Sequence, residues 1–157
     1  MKQSLFEIIE NIPLTENVYR MTLAGDVSAI TAPGQFVNIQ LDGLYLRRPI
    51  SVCDVTANTL TIIYKVVGKG TEQMSRMSGG TLDVLTGLGN GYDLSVSGDQ
   101  PVLLGGGVGV PPMYLLTKKL VAQGKNVRGY FGLQHKIRSV LRGCVQGPGS
   151  RCDGYHC

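Results

Sequence analysis

Long hydrophobic runs are missing from this sequence. None of its apolar stretches approaches the roughly 18 residues of a membrane-spanning helix. The N-terminus has no basic-then-apolar signal peptide either, so a cytoplasmic protein with no membrane partner is expected. Cysteine is scarce where a fold is legible: Cys53 alone lies within the first 135 residues. A single Cys in a strand-like run behaves as a small buried hydrophobe, and the chain is long enough to build a core without disulfide or metal staples. Histidine occurs only as His135 and His156, and no Asp/Glu pair sits in a motif. Without a nucleophile–base pair, acyl transfer and hydrolysis lose their support, and no catalytic residue is assigned. Charge of one sign is also nearly absent. The net charge of +4 on 157 residues is too small to argue for nucleic acid.

That small excess is unevenly spread. Residues 1–135 carry 11 basic and 10 acidic side chains, whereas residues 136–157 carry 4 basic and 1 acidic. Cys144, Cys152 and Cys157 crowd the same end at a C-x7-C-x4-C spacing. This fits neither zinc nor iron–sulfur patterns, and three Cys leave a tetrahedral site one ligand short, so no metal ligand is assigned. The segment shows neither helical nor alternating periodicity and lacks the interleaved aromatics of a nucleic-acid surface. It reads as an atypical tail: either a loop-rich terminus or a segment not evolved for this fold, left by a shifted frame or a truncated gene.

What is present is first a series of short strands. Runs rich in β-branched and aromatic residues occupy 5–10, 18–23, 36–41, 49–53, 60–67 and 82–86. Turn clusters such as Gly25-Asp26, Pro33-Gly34 and Asp42-Gly43 divide them. That spacing implies a barrel or a sandwich. Residues 71–77 interrupt the series with helical composition, and Thr71 is the expected N-cap. After Ser97-Gly98-Asp99 the texture changes. An apolar run at 101–104 without alternation predicts a parallel strand buried on both faces. A Gly-rich turn, a helix over 113–122 and a strand over 126–131 follow, which makes one βαβ unit.

Four places could carry chemistry. Arg47-Arg48-Pro49-Ile50-Ser51 sets two guanidinium groups and a hydroxyl at a strand start, and Arg is suited to bidentate phosphate recognition. Alone, the pair also fits an exposed strand edge. Gly68-Lys69-Gly70-Thr71 enters a short helix, where backbone N–H groups favour phosphate, though such turns precede many helices. Gly105-Gly106-Gly107-Val108-Gly109-Val110-Pro111-Pro112 is a Gly-rich strand-to-helix turn of the kind that meets pyrophosphates. It departs from the dinucleotide fingerprint, because Val110-Pro111-Pro112 follows Gly109 and Arg128, not an acid, lies about 20 residues on. Leu88-Gly89-Asn90-Gly91-Tyr92-Asp93 is turn-rich and could merely shape a β-turn. What remains is a protein that holds phosphate-bearing cofactors and lets them do the chemistry.

Taken in this order, the motifs resemble the ferredoxin-reductase-like flavoproteins, and most closely the electron-transfer subunits of NAD-linked (class 1B) dihydroorotate dehydrogenases. The matching phrases are Ala32-Pro33-Gly34-Gln35-Phe36, Leu46-Arg47-Arg48-Pro49-Ile50-Ser51, Ile63-Tyr64-Lys65 and Gly68-x-Gly70-Thr71, then the two Gly-rich phrases beginning at Gly87 and Gly105. They run from about residue 4 to His135. The resemblance implies an all-β antiparallel Greek-key barrel over residues 1–98 that binds FAD. An incomplete α/β NAD-binding unit over 99–135 and the atypical tail at 136–157 would follow. It further implies that Arg48, Pro49, Ile50 and Ser51 form the main FAD contact, with Arg48 facing the pyrophosphate and the Ser51 region facing the flavin ring. Ile63, Tyr64 and Lys65 would form the second contact, Gly70 and Thr71 would lie at the phosphates, and Gly105, Gly106, Gly107, Gly109 and Pro112 would meet NAD(H). The implied partner is a catalytic dihydroorotate dehydrogenase subunit in a heterotetramer. The family's [2Fe–2S] cluster has no matching ligands in this chain, so the chain alone is expected to lack full activity. A subunit of a related NAD(P)H oxidoreductase, or a non-functional remnant of one, is the alternative.

Overall fold

The structure is a computed structural model that describes residues 1–132. The expected tail, its three cysteines and both histidines lie outside the described residues. Six strands come first: β1 (Lys2–Pro13), β2 (Val18–Ala24), β3 (Phe36–Ile39), β4 (Arg48–Val55), β5 (Thr59–Lys65) and β6 (Thr81–Leu88), with helix α1 (Lys69–Ser75) between β5 and β6. They pair antiparallel in the closed order β1-β2-β5-β4-β3-β6. Strands β3, β4 and β5 follow one another as neighbours, and β2 returns beside β5, which is a Greek key. The ring closes where β1, the first strand, pairs with β6, the last. The first half of β1 pairs with β6 from Lys2↔Thr86, and its second half pairs with β2 through Pro13↔Tyr19. A bulge between Ile8 and Glu10 supplies the bend.

Alternation along each strand fills the barrel. Phe6, Met21, Leu23, Val37, Ile39, Val52, Leu60, Ile62 and Val84 form one buried cluster. A second bulge on β4, between Val52 and Asp54, shifts its register against β5. Cys53 there joins Leu14, Val18 and Ile63 in a separate buried cluster, against which Tyr114 packs. The buried Cys53 thus has the packing role its surroundings predicted.

The second unit contains β7 (Val102–Gly106), a 3-10 turn (Gly107–Gly109), helix α2 (Pro111–Ala122) and β8 (Arg128–Gly132). β7 and β8 pair in parallel, Val102↔Arg128 to Gly106↔Gly132. Leu103, Leu116, Leu120 and Val127 make its small core. The expectation of a strand buried on both faces needs correction. Leu103 is buried, but Val102 and Leu104 are 56 % and 72 % exposed. Among the described residues α2 covers one face of this pair, so the apolar run alternates in environment though not in composition. α2 also packs across β4, with a Lys118–Asp54 ion pair at 3.0 Å and Leu115 continuous with the barrel cluster.

The Pro33-Gly34-Gln35 and Gly89-Asn90-Gly91-Tyr92 phrases form one interlocked pair of loops. The Gln35 side chain accepts hydrogen bonds from the backbone N–H of Thr31 and Ala32 and donates to the Gly89 carbonyl. The Tyr92 N–H donates to the Pro33 carbonyl at 2.8 Å, and the Tyr92 ring lies over Gly34. The turn-rich phrase after β6 is thus a buckle on the barrel mouth. Gly34 has φ +88°, and a Cβ there would sit 2.6 Å from the Tyr92 ring, whereas Gly43 has φ +72° with open space around it. Gly43→Ala should therefore lose only the left-handed backbone preference, about 1 kcal/mol, and Gly34→Ala about 2–4 kcal/mol, because the displaced ring adds an overpacking cost. Urea unfolding of both variants measures the difference; equal losses would mean that Tyr92 contributes nothing to the buckle.

Candidate functional site

Arg47 and Arg48 are adjacent in sequence and differ in surroundings. The Arg47 guanidinium is turned onto β6: Nη1 donates to Asp83 Oδ1 at 3.1 Å and to the carbonyls of Asn38 and Asp83 at 3.3 Å. It is a strut between β3 and β6. The Arg47 hydrogen bond holds the Asp83 carboxyl below the usual carboxylate range, and a second bond from Gln3 at 2.7 Å adds to it. Arg48 pairs with no carboxylate among the described residues. Its Nη1 donates to the Leu46 carbonyl at 2.5 Å, which leaves most of a five-donor group for other partners.

Arg48 lies directly over α1. A Cβ built on Gly70 would fall 1.9 Å from Arg48 Nε, so no side chain other than hydrogen fits while Arg48 keeps this position. Gly70 and Thr71 are both buried. Two expected phosphate contacts, from β4 and from α1, are thus brought side by side. Thr71 does not have the expected N-cap role. α1 begins two residues earlier, with Gly68 at the N-cap position. The Thr71 hydroxyl points back instead, accepting from the N–H of Val67 and Gly68 and donating to the Gly68 carbonyl at 3.0 Å. A Thr at the third helical position accepts from amides at and before the N-cap, where an N-cap Thr accepts from amides after it, and sequence alone does not distinguish the two placements.

Along β4, Pro49 and Ser51 are exposed on the outer face, while Ile50 packs against the barrel cluster. β5 presents its three residues differently. Tyr64 is buried inside the barrel, stacked on Tyr19 at 5.8 Å between ring centroids, and its hydroxyl donates to Asn11 Oδ1 at 3.0 Å. Burial pushes the hydroxyl up to about 12, so it stays a protonated donor at neutral pH. Ile63 is covered by its own cluster, and Lys65 is exposed. Asn11, which belongs to no motif, also donates from Nδ2 to the carbonyls of Met74 and Met77, both at 2.8 Å. Its partners lie more than 60 residues away, so no local signal marks it.

The Gly-rich turn comes against β5, which brings the expected second-nucleotide site next to the barrel site. Gly106, Gly107 and Gly109 are exposed; Pro111 and Pro112 are buried. Gly105 packs tightly, since a Cβ there would meet Val110 at 3.1 Å. Proline has no N–H, so α2 lacks the amide hydrogens of its first two positions. What this turn exposes is bare backbone, not a full set of helix-end donors. No group of three or more His, Cys, Asp or Glu gathers among the described residues. No described helix is long and apolar enough to cross a membrane.

No protein-family model matches the sequence. The dihydroorotate dehydrogenase B (NAD(+)) electron transfer subunit of Bacillus pumilus is 41 % identical over 145 residues, covering 87 % of this chain and 56 % of that protein. The same subunit of a Geobacillus strain is 42 % identical over 146 residues, again with 87 % and 56 % covered. Over the length they share, this chain belongs to that family. It spans about half the length of these curated relatives. Among solved structures, an NADH-dependent reduced ferredoxin–NADP oxidoreductase aligns with TM-score 0.76 at 29 % identity, over 88 % of this chain and 54 % of its own. A ferredoxin NADP+ reductase from Neisseria gonorrhoeae aligns with TM-score 0.79 at 17 % identity, over 96 % and 67 %. The fold is ferredoxin-reductase-like, a closed antiparallel barrel followed by a small α/β part, as its motifs had implied.

The strut role of Arg47 generates a pH prediction. Asp83 is a stronger acid folded than unfolded, so its pair stabilises fully above the ordinary carboxylate pKa near 4 and is lost as pH falls below it. Asp83→Asn should be less stable than wild type at pH 7, and the gap should shrink steadily between about pH 4 and pH 2. A gap that stays constant across that range, followed by urea unfolding, would mean that Asp83 is not the titrating partner.

Proposed function

We propose that this chain is the FAD-binding part of an electron-transfer subunit that passes electrons from dihydroorotate oxidation to NAD. The barrel of residues 1–98 would hold FAD, and the unit beginning at residue 99 would meet NAD(H). The observation that carries the reading is the Arg48–Gly70 contact. It places a guanidinium with no carboxylate partner among the described residues directly over Gly70, where any Cβ would displace it, beside the exposed Pro49 and Ser51. That is a cationic surface of the kind a diphosphate would meet. FAD, when bound, supplies two-electron and one-electron redox chemistry that no side chain here offers.

The chain's own residues bind and orient. Arg48 neutralises the diphosphate through its planar fork. Gly70 lets the Arg48 side chain lie against the α1 backbone, and Thr71 keeps that turn closed by occupying the amides of Val67 and Gly68. Ser51 and Pro49, on the outer face of β4, line the surface that would receive the flavin ring. Of the second expected contact Lys65 alone is exposed; Tyr64, inside the barrel, and Ile63, under its own cluster, would support that strand from behind. Gly106, Gly107 and Gly109 then provide the bare backbone surface against β5 for the nicotinamide nucleotide. The proposed partner is a catalytic dihydroorotate-oxidising subunit, which the names of the relatives support. The Lys118–Asp54 pair and Tyr114 between the two units keep the turn beside the barrel. Cys144, Cys152 and Cys157 lie outside the described residues. A second reading is a barrel that serves another NAD(P)-linked reductase; the 29 % identity to the NADH-dependent reduced ferredoxin–NADP oxidoreductase supports it. Co-purification with a dihydroorotate-oxidising subunit separates the two.

Flavin titration tests the site. A charge-assisted contact is worth roughly 1.5–3 kcal/mol, so Arg48→Ala should weaken FAD binding by about tenfold to more than a hundredfold. Arg48→Lys keeps the charge without the fork and should fall between. Gly70→Ala should weaken FAD by about tenfold or more by displacing Arg48, while leaving the melting temperature unchanged or raised, since Ala favours a helix over Gly by about 1 kcal/mol. Wild-type affinity in Arg48→Ala would remove the site, and unfolding of that variant would make Arg48 structural.

A further inference from the structure

α1 stands outside the barrel sheet, and its attachments to the barrel decide where its first turn sits. Met74 is buried in the barrel cluster, and Gln73 Nε2 donates to the Asp42 carbonyl at 3.3 Å. The third attachment is Asn11, from the second half of β1. Nδ2 donates to the Met74 carbonyl in the last turn of α1 and to the Met77 carbonyl just past its end, both at 2.8 Å, while Oδ1 accepts the Tyr64 hydroxyl. This amide has one workable orientation. Reversing it would set Oδ1 against two carbonyl oxygens, which have no proton to give.

The geometry has little tolerance. The Gly70 Cβ position lies 1.9 Å from Arg48 Nε, and one residue of α-helix advances about 1.5 Å. A slide of α1 by a single residue's rise would uncouple Gly70 from Arg48. We infer that Asn11 is a positioning residue for the phosphate subsite: by gripping the far end of α1, it fixes the height at which Gly70 lies under Arg48. It touches no ligand itself. The inference rests on the FAD reading above and names the residue that sets the site's dimensions.

A double-mutant cycle on FAD affinity separates positioning from general stability. Asn11→Asp preserves shape and the Tyr64 bond but removes both donors; Asn11→Ala removes all three bonds. Each should weaken FAD about tenfold or more in the wild-type background, but no more than about twofold in the Arg48→Ala background, because the contact that Asn11 positions is already gone. Ser75→Ala, which removes only the bond from Ser75 to the Glu72 carbonyl within α1, should leave affinity within about twofold. Equal losses in both backgrounds, no loss in a folded Asn11 variant, or a matching loss in Ser75→Ala would each overturn the inference. So would failure of both Asn11 variants to fold, since Asn11 would then belong to the fold itself. Absence of FAD binding by the wild-type chain would instead overturn the earlier reading.

Discussion

The bend in β1 is the constraint on which the rest of this structure depends. Every strand of a closed ring faces two neighbours, and β1 does so largely with different halves, pairing with β6 from Lys2 to Glu7 and with β2 from Glu7 to Pro13, across its bulge. Closure leaves the barrel without an open edge. It lets Phe6 and Ile8 face the same core as Met21 and Val84. The second half of the same strand carries Asn11 to the end of α1. The strand that closes the barrel therefore also sets the position of the helix under Arg48.

From that frame, polar side chains divide into those that hold the protein and those left for a ligand. Arg47 is consumed by Asp83 and two carbonyls. Gln35 is consumed by the buckle with Gly89, and Asn11 by α1 and Tyr64. Arg48 stands apart, flanked by exposed Pro49 and Ser51 and pressed on Gly70.

The barrel strands were legible because each alternates on a sheet whose other face meets water, and the turn residues between them are local signals. Four features were not legible. Arg47 and Arg48 look equivalent until Asp83, 36 residues away, takes one of them. Thr71 carries an N-cap's chemistry at a position inside the helix. The run of apolar residues in β7 implies two covered faces, and α2 covers one. Asn11 is a single polar residue in a long strand, and its meaning lies in carbonyls that only the folded chain brings near. The phrases shared with the family fared differently from one another. Those around Gln35 and Tyr92 turn out to be architecture, while those around Arg48 and Gly70 come together in the proposed phosphate site.

The central claim is that this barrel holds FAD through that site. The most direct measurement is the visible absorption of the purified chain after incubation with FAD and removal of free flavin by gel filtration. The account predicts flavin absorption travelling with the protein near one flavin per chain, and its loss in Arg48→Ala. A folded wild-type chain that emerges without flavin absorption would contradict it.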